Sequence, residues 1–119
     1  MASIADLVQR VAEDLNIVSI GQSPEAQDNT RITATFNEVY AFIKQKGLAT
    51  WAAAAAIPTE SVLPMSLLME QRLLTSYSVP DNRYQRIMQD AGPNGRHALL
   101  MLGEMVVPEY EDNANGGNY

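Results

Sequence analysis

The residues that acid–base or metal chemistry would draw on first are a single histidine, His97, and two close acidic groupings, Glu13 with Asp14 and Glu109 with Glu111 and Asp112. Zinc sites are built mainly from Cys and His, and a chain with one His and no Cys would have to take its remaining ligands from carboxylates or water. His97 is read instead as a side chain at the start of a helix, bonded to backbone or solvent. The acidic groupings lack the glycine-containing spacing of a calcium loop and read as solvated faces. No serine lies in a G-x-S-x-G elbow, and there is neither a GxxxxGK[ST] loop nor a G-x-G-x-x-G turn. Gly92-Pro93-Asn94-Gly95 is too short for a phosphate cradle and reads as a turn. An enzyme would have to work around His97, Tyr84 and Asp90, where no reaction motif supports it. The expectation is a protein that is not an enzyme, with no cofactor and no metal.

Binding chemistry is better represented. Arg83 and Arg86 stand about one helical turn apart with Asp90 four residues beyond Arg86, a spacing that reads as a surface charge face with a weak ion pair. Six methionines offer adaptable thioether chains; Met69 and Met101 are expected in the core, Met65 and Met105 on a contact surface. Leu48 and Trp51 are candidates for a packing or subunit contact. Val107, Pro108, Tyr110 and Tyr119 lie in a closing stretch of acids, Asn and Gly that cannot close a core by itself, so they are candidate anchors on another protein.

Helices must position these residues, because no segment shows sustained apolar–polar alternation. Ser3 and Asp6 supply a cap and a first-turn acid, and Ile4, Leu7, Val8, Val11 and Leu15 share one helical face, predicting a helix over 3–15. Residues 16–22 read as an apolar-anchored connection. Ser23, Pro24 and Glu25 then read as N-cap, first helical residue and first-turn acid of a second helix. Its buried stripe is Ile32, Phe36, Val39, Tyr40 and Ile43, and it stops at Gly47 after Lys46. Thr30, Thr33 and Thr35 are mediocre helix formers in its first half.

Leu48 to Ile57, with Trp51 and the run Ala52 to Ala56, fits helix, turn or extended arm, the plainest reading being a small-residue linker. Pro58 and Thr59 open a third helix ending near Tyr77, with Val62, Leu63, Leu67, Met69, Leu73 and Leu74 as core positions and Pro64 bending or delaying its first turns. Pro80 and Asp81 open a fourth helix carrying Tyr84, Ile87 and Met88. Gly92 and Pro93 interrupt it, and Arg96 to Met105 resumes the pattern through Leu99, Leu100, Leu102 and Met105, either as a fifth helix or as the far limb of one kinked helix. The expected fold is all-α: a bundle of four to five helices over 1–105 and an extended C-terminal tail over 106–119.

At 119 residues, with 46% hydrophobic and 18% charged residues, the chain has the composition of one folded domain. Eight Lys and Arg against 14 Asp and Glu give a net charge of -6, which argues against a domain that grips nucleic-acid phosphates. No secretory signal or bilayer-spanning stretch is read, so no membrane partner is expected. The absence of Cys fits a reducing compartment.

Taken in order, DLVQRVAEDLNI, a loop ending SPE, FNEVYAFIKQKGLATW, IPTESVLPMSLLMEQRLL and VPDNRYQRIMQ resemble the phage head-to-tail adaptor family. The resemblance spans most of residues 3–105. It lies in a short helix, a loop, a long helix ending at Gly before an aromatic-containing linker, and an Ile-Pro start to the next helical pair. Gly92 to Gly95 depart from the uninterrupted final helix of that pattern. The resemblance implies a structural virion protein at the neck, in host cytoplasm during assembly. It implies a homo-oligomeric, dodecameric ring that docks on the portal protein and meets a tail or further neck protein. DNA would pass through its channel without specific binding, and Val107, Pro108, Tyr110 and Tyr119 would face the portal. An acidic lumen would repel phosphate during packaging and ejection. The alternative reading is a small acidic helical regulator, antitoxin-like, that caps a partner protein.

Overall fold

A computed structural model describes residues 2–52 and 56–104. The expected tail over 106–119, with Val107, Pro108, Tyr110 and Tyr119, lies outside the described residues, as do Met105 and Ala53 to Ala55. Among the described residues the fold is helical: α1 (Ile4–Asp14), α2 (Ala26–Gln45), α3 (Thr59–Leu73) and α4 (Asp81–Ala91), then a 3-10 turn at Pro93–Gly95 and a helical run over 96–104, here α5. The extended pairing present is an isolated antiparallel bridge between Ala2 and Ile57.

Helix α1 forms where its cap predicts. The Ser3 hydroxyl accepts the Asp6 N–H at 3.1 Å and the Asp6 carboxylate accepts the Ser3 N–H at 2.9 Å, a complete capping box. Asn16, with φ 61, then turns the chain away. Helix α2 begins two residues later than Ser23 and Pro24 suggest, because Glu25 is still extended (φ -65, ψ 158) and its carbonyl is the first to accept, from Asn29 N–H at 2.8 Å. The preceding loop is tied to α1 through Gln9, whose amide donates to the Gln22 carbonyl at 2.8 Å. That tether holds the loop just before α2 against α1. The threonines do not break α2: the Thr30 and Thr35 hydroxyls donate back to the Ala26 and Arg31 carbonyls at 2.9 and 3.1 Å. Gly47, with φ +77, takes the left-handed position that ends the helix.

Helix α3 is the centre of the molecule and touches α1, α2 and α4. It is buried nearly all round, including Met65, Leu68 and Met69, so a single apolar stripe describes it poorly. Two expectations are corrected by this. Met65 is fully buried rather than on a contact surface, whereas Leu63 is 45% exposed rather than core. Pro64 sits inside the helix without ending it. The helix stops at Leu73, short of Tyr77, whose hydroxyl instead donates to Asp28 of α2 at 3.0 Å.

Ile87 is the large core residue of α4; Tyr84 and Met88 are 41% and 38% exposed, because α4 meets the bundle by a narrow edge. Gly92 (φ 80), Pro93 and Asn94 (φ 55) separate α4 from α5, so the two are not one kinked helix. Gly95, at φ +74, rests against the Leu68 side chain. In α5, Ala98 and Leu102 are buried and Leu99 and Met101 pack on the core, while Leu100 is 60% exposed and outside the expected apolar face.

Candidate functional site

Three helix faces with the same spacing enclose a cleft of about 470 Å³. Helix α1 contributes Arg10, Glu13 and Asp14, α3 contributes Leu63, Ser66, Leu67 and Glu70, and α4 contributes Arg83, Arg86, Ile87 and Asp90. Steps of three and four residues place each set along one side of its helix. Ile20, from the loop after α1, stands at the edge.

The charges in the cleft are held by specific partners. Arg83 is half-buried and donates from Nη1 to the Glu13 and Asp14 carbonyls at 2.8 and 2.9 Å. Those carbonyls lie at the negative end of α1, so the contact joins α4 to α1 as well as neutralising a helix terminus. Arg83 is therefore not part of a surface charge face. Arg86 with Asp90, at 4.0 Å and well exposed, is the weak surface pair the spacing predicts. Arg10 pairs with Asp14 at 3.6 Å.

Glu13 and Asp14 are likewise more than a solvated face. Glu13 accepts the Gln9 amide at 2.6 Å and the Gly21 N–H at 3.0 Å; the Gly21 bond, then the Gln9 bond, hold its carboxyl below the usual range.

Glu70 is the residue that the sequence reading missed. It is 2% exposed, and no donor reaches its Oε2 among the described residues. Burial, followed by a hydrogen bond to the Asp14 side chain and the charge of Asp14, pushes its pKa up to about 10, against a smaller opposing pull from Arg10. Two carboxyl groups in hydrogen-bonding contact cannot both ionise cheaply. At neutral pH the proton therefore stays on Glu70. The available sequence signal is an acid inside MSLLMEQRLL, directly after a largely apolar run from Met65 to Met69.

The other candidates are scattered. His97 is exposed, its ring over Gly92, away from the cleft. Tyr84 does not line the cleft, so His97, Tyr84 and Asp90 do not form one site. Leu48 and Trp51 are half-buried against their own chain's core. The Trp51 ring lies 6.0 Å from that of Tyr40, whose hydroxyl donates to the Trp51 carbonyl. Trp51 Nε1 is buried without a partner among the described residues. No three His, Cys, Asp or Glu side chains among the described residues are grouped to hold a metal ion, and no described helix is long and apolar enough to cross a membrane.

No family model matches the chain, and no curated protein or solved structure is significantly similar to it.

Proposed function

We propose that this chain is a structural assembly protein without enzymatic activity, a head-to-tail adaptor whose copies form a ring on a phage portal protein. The observation that carries the reading is the order of its elements. A short capped helix, a tethered loop, a long helix closed by Gly47, a linker holding Trp51, and an Ile57-Pro58 entry into the α3–α4 pair follow the pattern of that family. The net charge of -6 suits a channel that must let DNA slide without holding it. In this reading Leu48 and Trp51 extend their packing to a neighbouring subunit, and Val107, Pro108, Tyr110 and Tyr119 anchor the chain on the portal. A tail or further neck protein meets the opposite face, in the virion or in host cytoplasm during assembly.

The test is the native mass of the chain, alone and mixed with the portal protein of its source. The adaptor reading expects a large ring complex in the mixture. Indifference to portal, with formation of a small complex with another protein, would favour the acidic regulator instead.

A further inference from the structure

The arginines of the cleft are already engaged: Arg10 with Asp14, Arg86 with Asp90, and Arg83 with two carbonyls of α1. Glu13 is held by Gln9 and Gly21. Glu70 remains, lining the cleft, 2% exposed and with no donor at Oε2 among the described residues. Three guanidinium groups balance the four carboxyl groups only while Glu70 keeps its proton. Once ionised, Glu70 leaves one uncompensated negative charge inside a half-enclosed site.

We propose that this cleft receives a basic side chain, arginine or lysine, presented by another polypeptide, whose cationic head bridges Glu70 and Asp14. The mouth fits the stem of such a residue. Ile20 and Leu63, 91% and 45% exposed, stand at the opening, and Leu67 and Ile87 line the wall, so methylene groups meet apolar surface while the head reaches the carboxyls. Because no three carboxylates among the described residues are grouped to chelate an ion, an elongated organic cation suits the site better than a metal.

Binding breaks the Glu70 O–H bond and with it the Glu70–Asp14 hydrogen bond; the proton passes to buffer, and both carboxylates then accept from the incoming head. Burial keeps Glu70 protonated at neutral pH, so affinity rises with pH. The charged groups that face Glu70 are Arg10, Glu13 and Asp14 from α1 and Arg83, Arg86 and Asp90 from α4. This inference does not rest on the adaptor reading, since the isolated chain tests it with no portal present.

The experiment titrates the isotope-labelled full chain with acetyl-Gly-Arg-Gly-amide, its lysine and glutamine counterparts, and spermidine as a free cation, following backbone amide and side-chain carboxyl resonances. The arginine or lysine peptide should shift Arg10, Glu70 and Arg83 saturably and move the Glu70 carboxyl signal from the acid to the carboxylate position. The glutamine peptide should not. Glu70→Gln keeps a donor for Asp14 and should keep the fold, yet weaken binding by about tenfold through loss of a charge-assisted bond. The Glu70 carboxyl signal of the wild-type chain is decisive even if that variant misfolds. The proposal is overturned by a Glu70 that stays protonated at saturation, by absence of saturable shifts, or by shifts mapping elsewhere. Equal binding of the glutamine peptide, unchanged binding in a folded Glu70→Gln chain, or binding of spermidine alone would overturn it too.

Discussion

Glu70 makes the stability of the fold depend on pH. Its folded pKa, about 10, lies above the ordinary 4.5, so between these values the folded chain keeps a proton that the unfolded chain releases. The Glu70 contribution is complete below the lower value and is lost as pH rises toward the upper one. A single proton can produce a slope of at most about 1.4 kcal/mol per pH unit. Urea denaturation across that interval should show a falling midpoint for the wild-type chain and a flatter profile for Glu70→Gln, with the variant the more stable on the alkaline side. Parallel profiles would mean that Glu70 does not hold the proton. Glycines separate strain from collision at the same scale. Gly47 and Gly95 both have φ near +75, but only at Gly95 would a Cβ strike a neighbour, the Leu68 side chain. Gly47→Ala should cost about 1 kcal/mol and Gly95→Ala about 2 to 3 kcal/mol in denaturant titrations, since overpacking adds to the backbone penalty.

Among the elements, α3 carries the core and α4 is the helix most dependent on polar attachment. Met69, fully buried at the centre of α3, should cost about 2 to 5 kcal/mol when truncated to alanine, read from the shift in thermal or urea unfolding. Helix α4 buries only Ile87 and Ala91 and is joined to α1 by Arg83. Arg83→Lys retains the charge but has a shorter reach than the guanidinium whose Nη1 donates to both carbonyls, and should cost about 1 to 2 kcal/mol. Hydrogen exchange should then speed up in α4 and at the end of α1 while α2 keeps its protection. Uniform acceleration across the bundle would show that Arg83 supports the whole fold rather than this one joint.

At the scale of the whole molecule, the proposed assembly divides the labour between a helical body and the residues that follow it. A chain truncated after residue 106 should keep its far-ultraviolet helical signal and its cooperative unfolding but lose stable association with portal, as judged by co-sedimentation. Retained association would move the docking surface into the body. The truncation leaves the cleft residues in place, so the arginine-peptide titration should be unchanged in it.

Local patterns in the sequence were enough to place the helices, because caps, helix-stopping glycines and apolar periodicity act within a few residues. Ser3 with Asp6, Gly47, Pro80 with Asp81 and the Gly92–Gly95 break mark boundaries that the structure keeps, and the α2 stripe from Ile32 to Ile43 is buried as its spacing predicts. The start of α2 was less legible, since a tether from Gln9 to a loop thirteen residues away takes part in setting it. Faces of α3 and α4 were legible only in part. Periodicity identifies an apolar side but cannot say that α3 is packed on three sides or that α4 offers only an edge, so Met65 and Leu63 exchange the environments expected of them. The cleft was not legible at all. Asp14, Glu70 and Arg83 are distant in sequence, and the one local hint among them is Glu70, an acid following an apolar helical run. Only the packing of three helices brings the two carboxyl groups together, buries Glu70 and turns an ordinary acid into one that holds its proton.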